Sequence, residues 1–319
     1  MNKDNHTPFC IICGENFSNM VKPSKEHIIP EALGNEKLVT YCVCEKCNND
    51  LGSNVDSYLT DYVLVKMIRK GNLEKDKDLQ IFDSAMTDDK GNKYRITDQG
   101  PEIFPNVNID KEKQHVHMEV ASLEESKKVA KGILKNKFKK NADEIEEILS
   151  DPLRFIKGET QYAKAGVFTQ DAKLDLARFK LAAIKIAYEY AVEKLGERYT
   201  TDESAAILRA YLKAGREGKK EFTEDEYKII SERCYCGDSF TEITEKTAEL
   251  YRNLTGGRKI KYMVYISRDG GDNLICCIRI LDTNFLTFTV FLSKNASNYL
   301  NGGEGYMALV LDDNSLFEA

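Results

Sequence analysis

The chain lacks any excess of positive charge. Its 46 Lys and Arg stand against 52 Asp and Glu, for a formal net charge of −6, and the first 70 residues are nearly balanced. A protein that grips nucleic acid unaided normally carries a basic footprint, so such binding here would need a bound cation, another region or a partner. No apolar run is long enough for a transmembrane helix, and no secretory signal pattern is present, so neither a membrane nor export is expected. Repeats and low-complexity tracts are also missing, which argues against a solenoid. Cysteine, by contrast, is plentiful at nine residues. In a chain without export features these thiols are expected to be reduced, in the cytoplasm, and free to hold metal instead of pairing as disulfides. With 319 residues and 42% hydrophobic content, there is material for two domains with sizeable cores.

The cysteines are concentrated near the start. Cys10-x2-Cys13 and Cys44-x2-Cys47 are two knuckles of identical spacing. Two thiolates set that way can face one ion across a tight turn, and two such turns close the tetrahedral shell that makes zinc structural. Cys42 could compete for the same ion. The matching spacing favours Cys44, and Cys42 then reads as a small buried residue on a strand. Between the knuckles lies Ser24-Lys25-Glu26-His27-Ile28-Ile29-Pro30, and Asn48 directly follows the second. An imidazole with a pKa near ~6.5 suits general-base work at neutral pH. A carboxylate and an amide oxygen are hard ligands, suited to Mg2+ or Mn2+ with coordination sites left for water and phosphate. Neighbouring residues on a strand point to opposite faces, so the strand should end or distort at Glu26–His27.

This arrangement resembles the HNH endonucleases of the ββα-metal fold, in the subgroup stapled by four cysteines. The resemblance covers roughly the first 60 residues and extends to Ile28-Ile29-Pro30, Leu33-Gly34 and Asn48-Asn49. It implies that Cys10, Cys13, Cys44 and Cys47 hold a structural Zn2+. It also implies that Glu26 and Asn48 ligate a catalytic Mg2+ or Mn2+, and that His27 is the general base. The implied activity is hydrolysis of phosphodiester bonds in DNA, with RNA the lesser expectation. Many members carry a further Asn just before the second cysteine pair; Leu38 to Cys42 offers none. Four-cysteine knuckles also stabilise modules that bind nucleic acid or protein without cutting it, and that reading stays open.

Beyond the motif, Ser53-x-x-Asp56 reads as a capping box for a helix ending near Lys70–Gly71. Residues 72 to 120 turn polar, with short strands expected at Ile81–Phe82, Tyr94–Ile96 and Val116–Val120. His115 and His117 sit at strand spacing, but with no ligand cluster beside them they read as an exposed edge. From 122 to 255 the pattern is mainly helical, with caps at Ser122, Thr200 and Thr223. Lys127, Lys128, Lys131, Lys135, Lys137, Lys139 and Lys140 form the densest basic run, followed at once by acidic residues, so a solvated face is favoured over a phosphate contact. Leu174 to Leu195 has a wide apolar face with a narrower polar stripe of Asp175, Arg178, Lys185, Glu189 and Glu193. Cys234-x-Cys236 lacks partner ligands. From 259 the period becomes two, giving strands at Ile260–Ser267, Leu274–Leu281, Phe285–Leu292 and Tyr306–Leu311, most simply an antiparallel meander.

The expectation is therefore an α+β chain: an HNH nuclease domain over 1–71 and an accessory domain over 72–319 that targets, senses or holds a partner. Its nearest functional analogy is a bacterial or phage restriction or defence effector. DNA is the expected partner, and homodimerisation, a partner protein or a small-molecule activator would engage the accessory region.

Overall fold

A computed structural model describes residues 7–73, 86–87, 92–97, 100–110, 112–113, 115–158, 174–218, 221–237, 258–302 and 305–318. Near the N-terminus Cys10 to Gly14 closes a tight turn, with the Gly14 N–H donating to Cys10 O at 2.8 Å. Strand β1 (Pro23–His27) then pairs antiparallel with β2 (Val39–Cys44). Helix α1 (Glu45–Leu51) follows directly and runs through a π-helical turn over Gly52–Asp56 into α2 (Ser57–Thr60) and α3 (Val63–Asn72). The cap expected at Ser53 is not used. The helix has already begun at Cys44, so Ser53 lies within the π turn and its Oγ donates to Asn49 O at 3.0 Å. The wide turn leaves two consecutive residues, Val55 and Asp56, on the buried side.

Residues 78–172 form a compact unit of their own. It holds a three-stranded antiparallel sheet of β3 (Met86–Thr87), β4 (Lys93–Thr97) and β5 (Gly100–Ile103), and a hairpin of β6 (Asn106–Asp110) and β7 (His115–Glu119). Helices α4 (Leu123–Asn136) and α5 (Ala142–Ser150) pack through Ala130, Ile145 and Leu149. Ser122 caps α4 as expected, accepting from Glu125 N at 3.1 Å. Two of the three short strands expected here are present; the one at Ile81–Phe82 lies outside the described residues. His115 and His117 are exposed on β7.

Residues 1–77 and 173–319 make up the other unit. The 78–172 unit thus lies within the span expected for the accessory domain, while residues 173–319 group with residues 1–77. The reason is α6 (Leu176–Leu195), which packs against β2, α2 and the π turn as well as against the C-terminal sheet. Nearly every residue of α6 is buried, and one hydrophobic core runs from Cys10 and Ile28 through Ile184 and Tyr188 to Val264 and Phe288. The polar stripe expected on this helix is mostly not on the surface: Asp175 caps it, while Arg178, Lys185 and Glu189 are buried. Helix α7 (Glu203–Arg216) crosses close to it. A Cβ added at Gly215 would come within 2.5 Å of the Leu181 side chain. Asp202, not Thr200, caps α7, because Thr200 belongs to a preceding 3-10 turn. Thr223 caps α8 (Glu224–Arg233) as expected, in a full capping box.

The sheet comprises β8 (Cys234–Cys236), β9 (Ile260–Arg268), β10 (Leu274–Ile280), β11 (Thr287–Ser293), β12 (Tyr306–Leu311) and β13 (Leu316–Glu318). Its order is β13-β12-β9-β10-β11-β8, antiparallel throughout. The expected strands are there, but the simple meander stops after β11. Strand β8 already covers the outer edge of β11, so β12 returns to pair with β9. The architecture is α+β, and among the described residues no helix is long and apolar enough to cross a membrane.

Candidate active site and metal centre

Cys10, Cys13, Cys44 and Cys47 come together with their sulfurs within 4.8 Å of one another. A zinc ion bound at about 2.3 Å would set sulfurs about 3.8 Å apart, so this donor set fits a closed four-thiolate site. Cys42 stays out of it, fully buried on β2, as its strand position predicts. Local sequence assembles the shell: one knuckle is the Cys10 turn, and the other is the start of α1, where Cys44 is the N-cap and accepts from Cys47 N at 3.5 Å. Amide N–H groups and the positive end of a helix favour thiolate charge. Cys44 N also donates to Cys10 Sγ at 3.4 Å, and the Cys47 thiol holds Cys10 down to about 5. One contribution comes from far away. Arg216, at the end of α7, donates to Cys47 Sγ at 2.7 Å.

The candidate catalytic residues sit on the hairpin and helix that this cluster staples. Strand β1 ends at His27, where the sequence expects it to end or distort, and its register slips earlier, between Ser24 and Glu26. Glu26 turns inward, 3% exposed, while His27 is half-buried at the surface. Burial holds the His27 imidazole below its ordinary value near 6.5, against the opposing pull of Glu31. The Glu31 carboxylate lies 3.7 Å from His27 Nδ1. This favours the ring proton on Nδ1 and leaves Nε2 able to accept one. Asn48 on α1 reaches back to β1, its Nδ2 donating to Ser24 Oγ and Lys25 O at 3.1 Å each.

The connection between the strands is pinned by Asn35, which is fully buried. Its Nδ2 donates to Ile29 O and Leu38 O, and its Oδ1 accepts from Lys37 N and Leu38 N. The further Asn that the resemblance places just before the second cysteine pair is missing from 38 to 42. Asn35 lies earlier, directly after Gly34, whose φ of +92 makes the turn. A Gly-Asn pair between two apolar runs is the signal that could have found it.

Behind Glu26 is a second polar cluster, which spacing does not reveal. Lys185 of α6 is completely buried and donates to Glu26 Oε1 at 2.5 Å, Asp56 Oδ2 at 2.9 Å and His27 O at 3.2 Å. Glu189, one turn on, has a carboxylate oxygen 3.7 Å from the same ammonium. Three carboxyls thus surround one cation. Burial pushes Glu26, Asp56 and especially Glu189 upward, and the surrounding acids hold Lys185 well above its usual value despite its own burial. Among the described residues Glu26 Oε2 and Asp56 Oδ1 have no hydrogen-bond partner. Glu26 Oε2 and the Asn48 amide oxygen are both hard donors, of the type that suits a divalent ion of the magnesium kind.

An HNH endonuclease family model matches residues 10–64, which include both knuckles, Glu26, His27 and Asn48. No curated protein and no solved structure matches the chain. A domain of that family implies contact with nucleic acid, and its four-cysteine cluster suggests structural zinc.

Proposed function

We propose that this chain is a divalent-ion-dependent endonuclease that hydrolyses phosphodiester bonds, with DNA as its principal substrate. The observation that carries this reading is His27. It stands at the end of a zinc-stapled strand, its ring kept neutral by burial and its Nδ1 side facing Glu31. A neutral imidazole at pH 7 can take the proton of a water at Nε2 as the water oxygen bonds to phosphorus and the ester oxygen leaves. Glu26 and Asn48 would hold Mg2+ or Mn2+, which when bound supplies counter-charge for the phosphate and the leaving oxygen. With so little net positive charge nearby, that ion also supports phosphate binding.

The rest of the chain would target, sense or bind a partner, as in restriction or defence effectors. In the unit formed by 78–172, Lys127, Lys128, Lys135, Lys137 and Lys139 are exposed and could add phosphate contacts. Lys131 and Lys140 are already paired with Glu146 and Glu144. A second reading, a zinc-stabilised binding module without cleavage, draws on Glu26, whose Oε1 is committed to Lys185.

Nicking of supercoiled plasmid separates the two. The nuclease reading expects nicking with Mg2+ or Mn2+, none after chelation of the added ion, and near-complete loss in His27→Ala with zinc content unchanged. Wild-type nicking by His27→Ala would remove His27 as the base.

A further inference from the structure

The geometry points to Lys185 as a positioning residue of the cleavage site, contributed by a helix 158 residues downstream of His27. This rests on the nuclease reading above. The ammonium has three N–H groups and three acceptors: the Glu26 carboxylate, the Asp56 carboxylate and the backbone oxygen of His27. All three protons are therefore used, and two of the three contacts fall on the adjacent candidate site residues. Lys185 is 0% exposed, so no water competes for it. Its own backbone is held by a helix buried on nearly all sides.

Tyr188, three residues further along α6, donates to Ile11 O in the first zinc knuckle at 3.0 Å. One stretch of α6 thus grips both the end of β1 and the turn that carries Cys10 and Cys13. The contacts also set orientation. With Oε1 held by Lys185, Glu26 keeps its second oxygen unpartnered, and the bond to His27 O fixes the peptide from which the imidazole projects.

Stability alone is a poor explanation for this arrangement. An ammonium buried among three carboxyls must be stripped of water, and well-packed apolar residues of similar size commonly serve a fold as well or better. A buried cation aimed at Glu26 and His27 is better accounted for by what it holds in place. Residues that orient metal ligands in this way typically change metal affinity or activity by ~10–100-fold when lost.

The test uses the full-length, zinc-loaded chain in three forms: wild type, Lys185→Met, and Lys185→Met combined with Asp56→Asn and Glu189→Gln. The triple variant removes two acids with the cation, so it keeps a folded comparison available if the single variant fails. Zinc content and thermal unfolding report the fold. Mn2+ affinity, measured by electron paramagnetic resonance without DNA, and plasmid nicking report the site. A folded, zinc-replete variant is expected to bind Mn2+ and nick plasmid ~10–100-fold less well. Wild-type Mn2+ affinity and nicking in a folded variant, or faster nicking, would overturn the proposal. Unfolding of both variants would assign Lys185 to the fold alone and overturn it too. Wild-type protein that neither binds Mn2+ nor nicks DNA would remove the nuclease reading itself, and the proposal with it.

Discussion

Two clusters adjoin the β1–β2 hairpin, and both concentrate groups able to carry negative charge. Four cysteine sulfurs gather within 4.8 Å, with Arg216 the charged neighbour in hydrogen-bond contact. Three carboxyls gather around Lys185, whose ammonium is already a permanent part of the chain. The first cluster suits an exchangeable ion and the second carries its own cation. That difference has a physical consequence. Removing the ion from the first leaves thiolates repelling one another, although they can protonate and relax. Removing the cation from the second leaves carboxyls deep in a core with nowhere to find water. The first is assembled mostly within residues 10–47, the second from residues up to 163 positions apart.

The largest effect should come from breaking the thiol cluster. Structural zinc contributes an apparent ~10–16 kcal/mol, comparable to or larger than the ~5–15 kcal/mol net stability of a whole domain. Cys47→Ser should therefore lose zinc by metal analysis and lose its cooperative thermal transition. Because the core is continuous through α6, the C-terminal sheet should lose protection in hydrogen exchange along with the hairpin. Well-folded wild-type protein that contains no zinc would end this claim.

A chain cut after residue 71 sharpens the comparison. It retains every cysteine of the cluster but loses Lys185, Tyr188 and Tyr262, whose hydroxyl donates to Leu33 O. Zinc alone should then fail to give a single folded state, read as poorly dispersed amide signals. A well-dispersed spectrum from that fragment would show that the thiol cluster suffices and that α6 is dispensable for folding.

The next effect is on chemistry. His27→Ala should slow cleavage by ~10²–10⁴-fold without moving the thermal transition. Because burial lowers the His27 pKa, the base is free at lower pH than an ordinary imidazole. The acid limb of the pH–rate profile should accordingly lie below about 6.5. An acid limb above that value would mean that another group sets the profile.

The smallest effect concerns Glu189, which burial raises well above its ordinary value. The native state then keeps a proton that the unfolded chain releases near about 4.3, so stability falls as pH rises from there towards the folded value. Glu26 and Asp56 are raised too and contribute with the same sign. Glu189→Gln removes one such contribution. Its thermal midpoint should decline less steeply than that of wild type as pH rises above about 4.3. Parallel curves for the two proteins would show that Glu189 does not titrate in that range.

Much was legible because it is local. A Cys-x2-Cys turn needs only neighbouring residues, and so does the end of β1 at His27, where alternation forbids both side chains the same face. The caps at Ser122 and Thr223 and the four C-terminal strands were readable for the same reason. Where the reading slipped, the deciding partner was distant. Ser53 was no cap because the helix had begun at Cys44, a member of the thiol cluster, and β12 joined β9 because β8 occupied the other edge. Lys185 and Glu189 read from the sequence as part of a narrow polar stripe, yet both are buried. The signal for burial was present: a helix so apolar on its remaining faces has little surface left to expose.

The sequence by itself therefore determined the metal-ligand spacing, the His27 and Asn48 positions on the hairpin and helix, and the types of the main elements, since each follows from turn geometry or side-chain period. Tertiary structure alone decided that α6 would be sandwiched between the β1–β2 hairpin and the sheet. That placement turned Lys185 inward onto Glu26 and His27 and brought Arg216 to Cys47. No periodicity encodes it, because a charged residue reads as polar until the partner that buries and satisfies it is known.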